Sequence, residues 1–131
     1  MHLGKITMKQ FILSISLILG ATVVSANDKP FAVGDVFFCQ MEEFVQWNWN
    51  DRKLQKYVLE KFKFSIVNPN RVKFGGQGYL GSLEMEIDFV SQQWVSAQDD
   101  YSIMNIRDGK FSYAQSTSKA SSLIAATCDR F

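Results

Sequence analysis

Apolar residues recur at every second position through most of the chain beyond Asp35, and this period excludes a mainly helical fold. Phe62, Phe64 and Ile66 alternate with Lys61, Lys63 and Ser65; Val72 and Phe74 alternate with Arg71 and Lys73; Leu83, Met85, Ile87 and Phe89 alternate with Glu84, Glu86 and Asp88. Successive side chains of a strand point to opposite faces, so each run predicts a strand with one buried and one wet face. Further strands are expected at 36–41, 94–97 and 122–128. Asp108-Gly109 suits the positive φ angles of a two-residue type I′ hairpin, which pairs Arg107 with Lys110, Ile106 with Phe111 and Met104 with Tyr113. Asn68-Pro69-Asn70 suits a three-residue hairpin pairing Ile66 with Val72, with Asn70 in the left-handed region. Residues 116–121 are poor in large apolar side chains and read as a loop.

The segment 42–60 admits two readings. Asn50 or Asp51 caps a short helix near 51–60, with Leu54, Tyr57 and Val58 spaced three and four apart, or the same residues form a loop leading into a strand at Tyr57. Seven or eight short strands in hairpin order predict an all-β fold, a small antiparallel meander closing into a barrel or half-barrel. A two-sheet sandwich is the alternative.

Residues 1–26 have the pattern of a secretory signal peptide: Lys5 and Lys9, an apolar run over 11–24, then Val24-Ser25-Ala26 as a small-x-small cleavage pattern. Met8 is a second candidate start. The apolar run is shorter than the roughly 20 residues a bilayer-spanning helix needs, so no membrane anchor is expected. Residues 27–131 then form a single β domain, secreted or periplasmic.

Cys39 and Cys128 are the only cysteines, near opposite ends of that domain, and an even count in an exported chain predicts a disulfide. Parity agrees. Cys39 shares a face with Phe37 and Met41, and Cys128 with Ile124 and Ala126, so both sulfurs point into the core. Closing so long a loop contributes roughly 4–5 kcal/mol through the unfolded state.

Several chemistries are excluded or disfavoured. The one histidine, His2, lies in the leader, which leaves no Ser-His-Asp or Cys-His arrangement, and bridged cysteines leave no thiolate and no zinc ligand set. No metal and no cofactor is expected. Of the 14 Lys and Arg all but Lys5 and Lys9 lie in the domain, mixed with 13 Asp and Glu, so there is no basic stripe for nucleic acid. Gly76-Gln77-Gly78-Tyr79-Leu80-Gly81 matches a dinucleotide fingerprint by letter, but it leads into a strand where that fingerprint needs a helix, and reads as a flexible loop. Glu84, Glu86 and Asp88 are the best candidates for carboxylate hydrolysis, projecting ~6.6 Å apart from one face. The bland alternative is a wet face whose carboxylates pair with Lys61, Lys63, Arg71 and Lys73 on neighbouring strands. Asp99-Asp100 reads as a turn before Tyr101, and no acidic calcium loop is present.

What remains for specific contacts is aromatic. Trp47-Asn48-Trp49-Asn50 puts two indoles on one face of an extended segment and amides on the other, and Tyr79 stands on the glycine loop. Trp47, Trp49 and Tyr79 are therefore the candidate ligand-binding residues, the alternative being that one or both indoles cap the open end of the core. In layout, a leader, about 100 further residues, an antiparallel sheet and a cysteine in the last strand, the chain resembles the small periplasmic inhibitors of C-type lysozymes. That family's Ser-Gly-x-x-Tyr loop has its nearest counterpart at Ser96-Ala97-Gln98-Asp99-Asp100-Tyr101, with alanine for glycine and one residue more. The favoured expectation is a non-catalytic exported binding module, probing a small amphipathic ligand, a glycan or a protein surface as a monomer. An inhibitor of a lysozyme-like hydrolase and a carboxylate-based hydrolase are the alternatives.

Overall fold

The computed structural model describes residues 29–131; the leader expected over 1–26 lies outside them. Nine strands follow in order: β1 (Val36–Asn48), β2 (Lys53–Lys56), β3 (Lys61–Asn68), β4 (Arg71–Phe74), β5 (Glu84–Val90), β6 (Trp94–Gln98), β7 (Ser102–Arg107), β8 (Lys110–Ser116) and β9 (Ala120–Arg130). All neighbours are antiparallel. β3 to β9 run as a meander, and β1 pairs with both β3 and β9, so eight strands close into a barrel. β2 is an extra strand attached only to β1. A barrel, and not a sandwich, is the outcome because β1 is long enough to be shared. Its first half pairs with β3, its last four residues pair with β2, and β9 follows nearly its whole length.

The interior is filled by side chains, as expected for eight strands. Phe37, Met41, Phe64, Val72, Met85, Val95, Met104, Ile106, Phe111 and Ile124 are among its buried members. Phe37 and Phe64 stack at 4.7 Å, and Phe62, Phe64 and Phe74 all meet Phe111 across the barrel. Cys39 and Cys128 are directly opposite each other on β1 and β9 and form the disulfide, tying the first strand to the last. At the same end Arg130 is buried with Asp35 at 3.5 Å and its guanidinium 4.8 Å over the Phe31 ring, so the enclosed cation is paired and stacked.

The hairpin at Asp108-Gly109 forms as expected, with φ of 50° and 75° and the pairs Arg107 with Lys110, Ile106 with Phe111 and Met104 with Tyr113. Other local expectations need correction. No helix forms near 51–60. Asn48 pairs with Lys53 and Trp47 with Leu54, so the segment is a hairpin whose turn is held by the Asn48 side chain accepting from the N–H groups of Asn50 and Asp51. Leu54 is spent on pairing β2 with β1, and the helical spacing has no core to face. At the Asn68-Pro69-Asn70 turn Ile66 does pair with Val72, but Asn68 pairs with Arg71 around a bulge at Val67, and Asn70 is not left-handed. The expected loop over 116–121 is shorter, since β8 and β9 pair down to Ser116 and Ser121. A bulge at Asp88 also reverses the alternation: Phe89 leaves the inner face, is 45% exposed and packs on Trp94 at 4.6 Å.

Candidate functional site

Beyond the barrel's closed body, β1 and β9 continue past a bulge at Glu42 and carry β2 on their outer edge. Phe44, Ile124, Tyr113 and Met104 point inward here and are buried. Strand alternation therefore turns their neighbours Val45, Leu123, Ala114 and Ile103 outward. These four are successive cross-strand partners on β1, β9, β8 and β7, an apolar row about 14 Å across at the usual strand spacing. Leu123 and Ile103 are exposed. One step further along, Trp47 stands between Leu54 and Ser121 in the same outer layer.

Trp49 follows at the turn, its ring 6.2 Å from Trp47 and nearly perpendicular to it, and the Trp49 backbone N–H donates to the carbonyl of Lys119. Trp47 is half-buried, whereas Trp49 is 52% and Leu54 60% exposed. The structure thus brings the two indoles together on an apolar wall. Exposed Arg52, Lys56 and Lys119 flank that wall, against the acids Asp51 and Glu43, while Lys53, opposite Asn48, takes the other face. Ile103-Met104 and Leu123-Ile124 place apolar side chains on both faces of a strand; this break in alternation is the signal by which the outer row was legible in the sequence, and it was missed.

Tyr79 belongs to a different face. The loop over 75–83 folds onto the barrel mouth, burying Leu80 and laying the Tyr79 ring on Phe44 at 4.7 Å. The Tyr79 hydroxyl lies 3.1 Å from Gln115 Oε1 and 3.3 Å from Ser122 Oγ, and its N–H donates to Glu60 Oε1 at 3.0 Å. Ser122 also accepts from Gln46 Nε2, and Tyr57 donates to Gln46 Oε1. Gln46 and Trp47 are consecutive on β1, so the face that Tyr79 joins is opposite the face of the indoles. Gly78, with φ of 82°, holds the turn beneath Tyr79, where an added Cβ would meet the Glu60 carboxylate at 3.2 Å.

The carboxylates of β5 do not converge. Glu84 sits 3.6 Å from Arg71, Glu86 is directly opposite Arg71, and Asp88 is displaced by the bulge. Lys73 is opposite Glu84, but Lys61 and Lys63 are cut off from β5 by β4, so the pairing expected for those two does not form. Asp99 Oδ1 accepts from the N–H groups of Tyr101 and Ser102 and from Ser102 Oγ, a turn held by its side chain. Burial pushes the Tyr113 phenol above the ordinary tyrosine value, opposed by its hydrogen bond with Ser102. Among the described residues no three His, Cys, Asp or Glu gather as a metal site, and no helix is long and apolar enough to cross a membrane. Comparison with protein families, curated proteins and solved structures found no match, so the surfaces of the molecule carry the functional argument by themselves.

Proposed function

We propose that the β domain is a non-catalytic binding module, exported to an oxidising compartment, that holds a protein partner against the wall of Trp47, Trp49, Leu54 and Leu123. The observation that carries this reading is the outward apolar row itself: Ile103, Ala114, Leu123 and Val45 are cross-strand neighbours on the solvent side of a sheet whose inner side already has a full core. Contiguous apolar surface of this kind marks interaction sites on soluble domains. The flat wall suits a protein surface better than a small amphipathic ligand, which needs a concavity that this wall does not offer. The surrounding Arg52, Lys56 and Lys119 favour a partner with an acidic rim. The disulfide is compatible with an oxidising, extracellular setting.

The test compares wild type with a Trp49→Ala, Leu54→Ser, Leu123→Ser variant on one column, loaded with an envelope extract and with anionic and neutral vesicles. An acidic protein retained by wild type and lost by the folded variant supports the reading. Equal retention by both, or retention of anionic vesicles alone, overturns it. Hydrolytic turnover abolished by Glu86→Gln would overturn the non-enzymatic part.

A further inference from the structure

A second surface lies lower on the barrel, outside β9, β1 and β3, where a cleft of about 900 Å³ opens. Its base is two parallel cross-strand rows. Asp129, Phe38 and Lys63 form one, and Thr127, Gln40 and Lys61 form the other. Their inward neighbours Phe37, Cys39 and Cys128 are buried, so all six side chains face outward. The cleft is therefore graded: two lysines at alternate positions of β3, about 7 Å apart along the backbone, an apolar and amide centre on β1, and a carboxylate with a hydroxyl on β9. Lys63 and Asp129 stand about 10 Å apart, two strand spacings. Among the described residues neither Lys61, Lys63 nor Asp129 makes an ion pair, while Thr127 donates to Glu42. Phe38 is 49% exposed between them, its ring edge-on to Phe131.

We infer that this cleft binds a small dipolar organic molecule: a carboxylate held by Lys61 and Lys63, an apolar body lying on Phe38, and an ammonium or hydroxyl donor reaching Asp129. The volume falls in the range of small-molecule sites. An oppositely charged pair held apart by the sheet, with a ring exposed midway, matches a ligand of the same charge order and of about that span. The site is separate from the aromatic wall, and its ligand is recognised by charge placement instead of apolar area.

The experiment is an NMR titration of the purified protein with 8-aminooctanoate, beside octanoate and octylamine. Saturable shifts at residues 38–40, 61–63 and 127–129 are expected with 8-aminooctanoate, with octanoate and octylamine each at least threefold weaker. Lys63→Gln and Asp129→Asn, both outward substitutions whose folding circular dichroism checks, should each weaken binding about fivefold, and about 0.5 M salt should weaken it further. Absence of saturable shifts, shifts centred on another face, or equal affinity in wild type and both variants overturns the inference.

Discussion

β1 and β9 lie side by side along nearly their whole lengths, yet the two ends of the pair solve different problems. At the end of Val36 to Gln40 the pair is enclosed: β3 covers the other edge of β1, Cys39 is bonded to Cys128, and Phe37 stacks on Phe64. At the end of Val45 to Asn48 the outer edge carries only β2, four residues long and exposed throughout. At the first end buried and exposed positions alternate without a break, with Phe38 turned to solvent between buried Phe37 and Cys39. The contrast fades at the second, where Val45, Gln46, Trp47 and Asn48 are all half-buried and Leu54 is exposed. The Glu42 bulge is the boundary, since one extra residue lets β1 leave the barrel's curvature and continue as a projecting flap. The disulfide closes the seam at the first end, whereas β2 leaves the second end with an exposed outer face.

The sharpest way to break this comparison is to unlock the closed end. Reduction, or Cys39→Ala with Cys128→Ala, should cost roughly 2–5 kcal/mol. In a domain of this size that lowers Tm by roughly 10–30 °C, read by calorimetry with and without reductant. If the loss is only a degree or two, the packing of β1 on β3 and β9 holds the seam by itself and the contrast between the ends is not covalent in origin.

A smaller effect comes from Tyr113, buried at the foot of the exposed row. Its folded value is raised above the ordinary 10.0 by desolvation, partly offset by Ser102, so the folded chain holds the phenolic proton more tightly than the unfolded chain. The associated stability is fully present below about pH 10 and is lost as pH rises through the folded value. Urea denaturation midpoints should fall as the pH rises above about 10, and Tyr113→Phe should flatten that fall. In a spectroscopic titration the same variant should remove a phenol that ionises above the ordinary tyrosine value. A midpoint that is as pH-sensitive in Tyr113→Phe as in wild type would place the dependence elsewhere.

How much of this was legible follows the same division. The closed end was: alternation around Phe37, Cys39, Phe64 and Val72 matches the observed inner faces, the two cysteines form the staple, and Asp108-Gly109 sets the register of β7 with β8. Bulges at Glu42, Val67 and Asp88 were not, because a single extra residue leaves no compositional mark and yet flips every side chain beyond it, as Phe89 shows. Leu54, Tyr57 and Val58 have helical spacing, and only the pairing partner at Val45 to Asn48 decides against it. For the site, the adjacency of Trp47 and Trp49 is local and was readable. The separation of Tyr79 from them depends on how the 75–83 loop returns to the mouth, and the cleft of Phe38, Lys63 and Asp129 is assembled from three strands that no local pattern connects.

The smallest expected effect is also the one that isolates the flap. Trp49 and Leu54 are exposed, make no core contact, and lie beyond the last shared pairing of β1 with β3, so Trp49→Ala and Leu54→Ser should each change stability by no more than about 0.5 kcal/mol. Trp47 is half-buried against the neighbouring strands, and Trp47→Ala should cost more, about 1–2 kcal/mol, because truncation removes ring area packed beside Leu54 and Ser121. Denaturant midpoints of the three variants measure the gradient directly. Equal, large losses in all three would make the flap part of the folding core, and the exposed indole could then owe its place to stability. A gradient from Trp47 down to Leu54 leaves the outermost apolar groups with no structural work, and a solvent-facing tryptophan without structural work is explained by what it touches in another molecule.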